Sequence, residues 1–456
     1  MTSTLRLWTL LAILFVTVAV AAAAAFLVSS KKVDTIAWTQ FGLGEQPMLI
    51  TRALIGKGGD CPTIEIGGQR GTMELRDDPR AAVFGRMCES RRPLGDALDV
   101  RIRQGSTVLL DQRVTREPAR VLVLGDTGCR VTSFFDQVCS DQQKWPFGRV
   151  AASAARESAQ LILHLGDYYY RETPCKGSSA PCIPGPYGDI EESWRADFFT
   201  PARDLLAKAP WIFTRGNHED CLRGGFGWHY YFSESAAGCD LVHPPAHIAF
   251  KGWSLVGFDS AHTDDRFAFG PVNQGWLDLA ARLKARPPTG GPVVLATHAP
   301  GYFTCTDDNT GKRVPCRAES IANLGGVRTI ADAVRGTGAR TILFSGHIHA
   351  FQVLDTQAMT QVIVGTGGAN PDKVAAELIP PAMGDFEFED RRLELIDGRW
   401  RAALKGPTVT DKVQGWEGFG FTILTPATME LVVYDAEGKR QFACDLAGEA
   451  KMPRCR

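Results

Sequence analysis

The sequence predicts an α/β domain, preceded by a small all-β domain and by an apolar segment at the N-terminus. Three observations carry this reading. From Val121 onward, short apolar runs recur, each delivering a polar residue just past its end, with segments of helical spacing between them. Before Pro118 the texture differs, with strand-like runs broken by Gly, Pro and Asp. At the start, Leu7 to Val28 is apolar except for Thr9 and Thr17. With 456 residues, 44% of them hydrophobic and 22% charged, the chain can bury a large core, which argues against disorder.

The N-terminal segment follows a lone Arg6 and is closed by Ser29, Ser30, Lys31 and Lys32, so residues 1–32 must meet a membrane. The run exceeds the usual signal-peptide apolar region of about 7–15 residues, which suits an uncleaved anchor, yet Ala21–Ala25 offers small-residue cleavage sites. Signal peptide and transmembrane anchor both stand. Twelve cysteines fall as near neighbours: Cys61 and Cys88, Cys129 and Cys139, Cys175 and Cys182, Cys221 and Cys239, Cys305 and Cys316, Cys444 and Cys455. With no Cys-x-x-Cys spacing among them, they predict local disulfides and an extracytoplasmic location. Fifty basic residues balance fifty-one acidic ones, so no global field draws nucleic acid, and no basic aromatic stripe accompanies the tryptophans.

Within 33–118, Pro47 to Leu54, Thr63 to Ile66 and Leu98 to Ile102 read as strands of a β-sandwich-like domain. The catalytic domain is expected over 119–456, with its motifs in 120–369. Val121 to Leu124 leads into Gly125-Asp126, Leu161 to Leu165 into Gly166-Asp167, and Trp211 to Thr214 into Gly216-Asn217-His218-Glu219. Val293 to Thr297 leads into His298, and Thr341 to Phe344 into Gly346-His347-Ile348-His349. Arg149 to Gln160, Ser193 to Leu206, Gly275 to Ala285 and Ile321 to Val334 read as the helices between. Gln361 to Val364 runs into Gly365-Thr366-Gly367-Gly368, and strands within 386–446 complete a sheet. Sites in open α/β sheets gather at the carboxyl ends of strands, so these tips can share one site.

Hard ions at hydrolytic sites take carboxylates and neutral imidazoles, with a bridging carboxylate where two ions lie about 3.5–4 Å apart. Asp126, Asp167, Asn217, His298, His347 and His349 supply that inventory, each at a strand end. Singly they mean little, since Gly-Asp is a common turn and a lone His298 is more often structural than a ligand; their joint order carries the signal. The blocks resemble those of the calcineurin-like metallophosphoesterase superfamily, over roughly Arg120 to Ala369. Gly128 stands where most members have a ligand histidine, and Tyr170 follows Asp167 by three residues, as in the purple acid phosphatases. That resemblance implies an α/β/β/α sandwich of two mixed sheets. It also implies a ferric site of Asp126, Asp167, Tyr170 and His349, and a divalent Fe, Zn or Mn site of Asp167, Asn217, His298 and His347.

The expected chemistry is in-line attack on phosphorus by a metal-bound hydroxide, without a covalent enzyme intermediate. By the resemblance, His218 protonates the leaving group, Glu219 orients His218, and Asn217 and His218 touch substrate. His262 is a further candidate substrate contact. Purple acid phosphatases carry more histidine after the lone-histidine block, whereas Ala299-Pro300-Gly301-Tyr302 supplies none, which leaves Tyr302, Asp307 and Asp308 as candidates for that role. His164, His229, His243 and His247 match no block and read as structural. The expected function is acid-phosphatase-like hydrolysis of phosphate monoesters, on small phosphorylated substrates or phosphoproteins. A phosphodiesterase or nucleotidase using the same site is the alternative, and a non-catalytic membrane-tethered binding protein a weaker one, because the ligand set is complete.

Overall fold

The computed structural model describes residues 35–42, 48–133, 135–175, 185–234, 238–262, 270–288, 291–301, 304–306, 313–315, 327, 329–334, 339–355, 359–372, 382–389, 393–396, 399–402, 408–448 and 454–456. The N-terminal segment, Tyr302, Asp307 and Asp308 lie outside them. Among the described residues no helix is long and apolar enough to cross a membrane.

Val121–Leu124 and Leu161–His164 are buried at every position, so both faces of these strands must be covered. Alternating side chains achieve this. Val121, Val123, Leu161 and Leu163 enter a core shared with Leu255, Val294, Ile342 and Phe344 of a second sheet. Leu122, Leu124 and Ile162 point the other way, onto Phe147, Val150, Phe198 and Leu205. Among the described residues the first sheet has ten strands around the parallel trio Val121–Leu124, Leu161–His164 and Trp211–Phe213. Antiparallel Gly420–Thr425, Glu430–Asp435 and Arg440–Asp445 extend one side. The second sheet has eight strands, with Trp253–Gly257, Val293–Ala296, Thr341–Ser345 and Thr360–Val364 parallel at its centre. The helix Gly270–Ala285 covers its outer face through Trp276, Leu279 and Leu283, together with Ile330 and Val334. The layers therefore run helix, sheet, sheet, helix.

The expectation of a separate β domain over 33–118 is corrected by the strand order. Ile36–Phe41 lies parallel to Trp211–Phe213, and Met48–Ile55, Arg86–Pro93 and Glu74–Leu75 follow it outward in the same ten-stranded sheet. Ile36–Phe41 is buried along its whole length, as an interior strand must be. Among the described residues of this region only Thr63–Ile66, Gln69–Thr72, Ala97–Gln104 and Thr107–Thr115 form a sheet of their own, and Ile64, Val100 and Ile102 still pack into the common core.

Another expected helix, Ser193 to Leu206, is broken into Glu191–Trp194, a π-helical turn Arg195–Phe199, and Arg203–Leu206, with Pro201 between the last two. Proline supplies no N–H to a helix ladder. Disulfides join Cys61 to Cys88, Cys129 to Cys139, Cys221 to Cys239 and Cys444 to Cys455, as the spacing predicts. The remaining expected pairs include Cys182 and Cys316, outside the described residues.

Candidate metal centre

The strand ends of both sheets meet at one place because their loops are stitched to one another. Asp126 N–H donates to Gly166 O at 3.0 Å, Thr127 N–H to Asp167 O at 3.0 Å, and Gly346 N–H to His298 O at 2.9 Å. The contact is too close for a Cβ at Gly216, which would lie 2.1 Å from Asp167 Oδ1. At Gly166, with φ +101°, a Cβ would lie 2.6 Å from His298 Nδ1.

Donor atoms converge in two groups. The Tyr170 phenol oxygen lies 2.7 Å from Asp167 Oδ2, 3.2 Å from Asp126 Oδ1 and 2.9 Å from His349 Nε2. Asn217 Oδ1 lies 2.9 Å from His298 Nε2 and 3.0 Å from His347 Nδ1, and His298 Nε2 lies 3.2 Å from Asp167 Oδ2. Ligand atoms of Asp167, His298 and His347 all fall within 4.8 Å of one another. The structure thus brings together all seven residues of the expected ligand set, in the two quartets expected, with Asp167 common to both.

Electrostatics favour cations here. Burial and the charge of Asp167 push the Asp126 carboxyl well above the usual carboxylate range. Asp167 is held well below that range, against burial, by His298 and His218. Two buried carboxylates side by side cannot both ionise without a positive neighbour, which bound metal cations would supply. Burial lowers His349 to about 4, so it stands neutral, and the backbone oxygen of Asn370 fixes its Nδ1 at 2.7 Å. His298 Nδ1 is fixed in the same way by Leu165 O at 2.7 Å. Both Nε2 atoms then face the site, the arrangement a metal-ligating imidazole requires.

Supporting residues emerge that local sequence did not reveal. Asp197, buried in the π-helical turn, accepts the Tyr170 N–H at 2.9 Å and pairs with Arg171, which fixes the tyrosine loop. Glu172 Oε1 lies 2.6 Å from His218 Nδ1 and 3.7 Å from Arg223. It is Glu172, not Glu219, that orients His218. Glu219 is instead fully buried, where Oε1 accepts N–H groups of Tyr168 and Tyr169 and Oε2 those of Asp167 and Gly216, at 2.8–3.0 Å. Its place beside His218 in sequence suggested contact, but the 3-10 turn Asn217–Glu219 turns its carboxylate onto the neighbouring loop. His262 is not among the residues brought into the two donor groups. It is 8% exposed, its Nε2 accepts the Cys221 N–H at 3.5 Å, and it makes no hydrogen bond to the seven candidate ligands.

His164 is structural, as expected: it is buried, stacked on Tyr168 at 3.9 Å, and its Nε2 lies 3.0 Å from Thr127 Oγ1. A signal for Glu172 does exist, two residues after Tyr170, but nothing local ties it to His218, 46 positions away.

Comparison with known proteins agrees with this geometry. The family model for calcineurin-like phosphoesterases matches residues 119–351, and the chain belongs to that family. It is a metallophosphoesterase, an enzyme of metal-dependent phosphoester hydrolysis. No curated protein matches the chain. Among solved structures it is similar to purple acid phosphatase PPD1 from yellow lupin (Lupinus luteus) seeds, with a TM-score of 0.53 at 12% identity, over 90% of this chain and 73% of that one. It is also similar to GAP50, the anchor in the inner membrane complex of Plasmodium, with a TM-score of 0.43 at 12% identity, over 74% of this chain and 90% of that one.

Proposed function

We propose that the chain is a dinuclear phosphomonoesterase of the purple acid phosphatase kind, acting outside the cytoplasm on small phosphate esters or phosphoproteins. The observation that carries this is the pair of donor quartets sharing Asp167, one of them containing a buried phenol. Asp126, Asp167, Tyr170 and His349 hold Fe(III), and Asp167, Asn217, His298 and His347 hold Fe, Zn or Mn. When bound, the ions supply Lewis acidity to the phosphoryl oxygens and acidify the attacking water.

The chain's own groups do the rest. His218 gives its Nε2 proton to the leaving alkoxide, while Nδ1–H donates to Glu172, which fixes the ring. Asn217 adds a neutral oxygen ligand, so the second site keeps a higher positive charge than a second carboxylate would leave it. The four disulfides among the described residues and the apolar run Leu7 to Val28 support export.

Hydrolysis of p-nitrophenyl phosphate and bis-p-nitrophenyl phosphate, followed across pH with iron plus zinc or manganese supplied, tests the reading. Monoester turnover is expected to exceed diester turnover, and Asp167→Asn to abolish it. Preferential diester turnover would make the enzyme a phosphodiesterase. Inactivity on both esters at full metal loading would overturn the reading.

A further inference from the structure

Glu172 reaches His218 from the tyrosine loop on a long side chain that is 20% exposed. Its backbone is fixed, since the N–H donates to Val131 O at 3.0 Å, but this leaves the terminal carboxylate free to turn. Among the described residues two groups hold that carboxylate, and both do so through Oε1. His218 Nδ1 lies 2.6 Å from it, and Arg223 Nη1 lies 3.7 Å from it as an ion pair.

Arg223 is anchored by its own turn. Its Nε lies 3.4 Å from Asp220 Oδ2, its N–H donates to Asp220 O at 3.0 Å, and Asp220 Oδ1 accepts the Leu222 N–H at 2.7 Å. Gly224 N–H closes the turn onto His218 O at 3.0 Å, and Cys221–Cys239 braces it. Imidazole and guanidinium thus grip one carboxylate oxygen from two points of one bonded turn. The His218 ring also packs on Tyr170, with centroids 4.1 Å apart. Tyr170 limits where the ring lies, and Glu172 limits how it turns.

We propose that Arg223 is a positioning residue for the leaving-group acid: it holds Glu172 in the orientation that keeps His218 Nε2 aimed at the departing oxygen. A guanidinium already pinned by Asp220 has little rotamer freedom left to lose in holding a second carboxylate. The pair with Glu172 is partly exposed on both sides, so its net contribution to folding is small. Its effect on rate is larger, because a displacement of about 1 Å in a catalytic group costs on the order of 100-fold. p-Nitrophenolate departs without a proton whereas an alkoxide needs one, so the loss of aim falls on alkyl esters. This rests on the phosphomonoesterase reading above.

The test measures kcat and KM of the metal-loaded full chain for ethyl phosphate and p-nitrophenyl phosphate, with melting temperature as the control. Arg223→Met is expected to lower kcat on ethyl phosphate about tenfold, with KM and p-nitrophenyl phosphate turnover nearly unchanged. Arg223→Gln is the second variant should methionine disturb folding. Arg223→Lys restores a charge on a stem of similar length and recovers most of the loss. In a Glu172→Gln background Arg223→Met costs nothing further, because both changes act through one contact.

Equal losses on both esters would make Arg223 a brace of its loop and overturn the proposal. So would a rise in KM alone, which marks a substrate contact, or unchanged kinetics, or a full further loss in the Glu172→Gln background. If wild type turns over neither ester, the hydrolase reading has failed on its own, and proton NMR on the zinc-loaded full chain decides for Arg223. The signal followed is the His218 Nδ1–H, identified by its loss in His218→Gln. Its loss or broadening in Arg223→Met and its return in Arg223→Lys support the proposal. A signal equal in all three proteins, or absent from wild type, overturns it.

Discussion

Asp126, Asp167 and His347 adopt φ values of 59°, 59° and 72°, a left-handed backbone that costs about 1–2 kcal/mol for a residue with a Cβ. Each stands two or three residues past a strand end, where the chain must turn sharply to aim a side chain at its neighbours. The strain is tolerated because the loops are bonded to each other on both sides. Tyr170 sits at the centre of this arrangement, and its role has a direct spectroscopic test. A phenolate on ferric iron gives a visible charge-transfer band, so Tyr170→Phe is expected to abolish that band in iron-loaded protein. An unchanged band would remove Tyr170 from the ligand set. Glu172 carries a second prediction at this scale. Glu172→Gln keeps the size but loses the charge paired with His218, so kcat is expected to fall about 10- to 100-fold with KM nearly constant. A change confined to KM would mean that Glu172 binds substrate rather than positions His218. Each candidate ligand was legible in the sequence because it lies within four residues of an apolar strand or of another candidate. Glu172 was not, since what defines it is a contact across loops.

The helix Gly225–Tyr231 follows the ligand loop directly and is held to the second sheet by a cluster of buried imidazoles. Arg215 lies 2.8 Å from His229 Nε2 and pairs with Asp259 at 2.7 Å, while the His243 ring packs against Trp228 at 4.9 Å and His229 at 5.8 Å. Burial lowers His229 to about 3 and His243 to about 4, so both are neutral in the folded protein and must gain a proton when it unfolds at acid pH. Folded values below the unfolded value of about 6.5 mean that the unfolded state binds more protons between them, so stability is lost as pH falls from about 6.5 toward 4. Each group changes the folding equilibrium by up to about tenfold per pH unit across that window. Melting temperature followed from pH 7 to pH 4 is expected to fall less steeply in His243→Phe than in wild type. Identical slopes would show that His243 is already protonated, or already solvated, in the folded state. An enzyme proposed to work in acid thus carries an acid-labile element next to its ligand loop, and Cys221–Cys239 braces that same element. The sequence marked these histidines as structural but could not indicate their shared burial, because His229 and His243 meet only after the chain has turned back through the disulfide.

At the scale of the whole molecule, the strands ahead of the metal-binding motifs are part of the catalytic sheet. Val121–Leu124 and its successors were legible because each carries its own apolar run and its own ligand. The pairing of Gln40 with Trp211 was not, because nothing in the local pattern of Ile36–Phe41 says which distant strand it joins. That pairing has an energetic consequence. Ile36, Trp38, Phe41, Leu49, Ile50 and Leu54 are all buried, and each fully buried side chain of this size contributes about 1.5–3 kcal/mol. Six of them rival the roughly 5–15 kcal/mol of net stability typical of a folded domain. Arg52 adds a polar tie, since its guanidinium is buried and donates to Tyr231 O and Ser233 O at the end of the helix described above while pairing with Glu89. Removing residues 33–118 therefore strips a neighbour from Trp211–Phe213, leaves that strand as an unpaired sheet edge, and leaves buried carbonyls without their donor. Expression of 33–456 is expected to give a monodisperse protein with a cooperative melt, and expression of 119–456 an aggregated one, although the family match lies within the shorter chain. If 119–456 were soluble, melted cooperatively and bound two metal ions, the early strands would be an appendage after all, and the metal centre would owe its geometry to the family core alone.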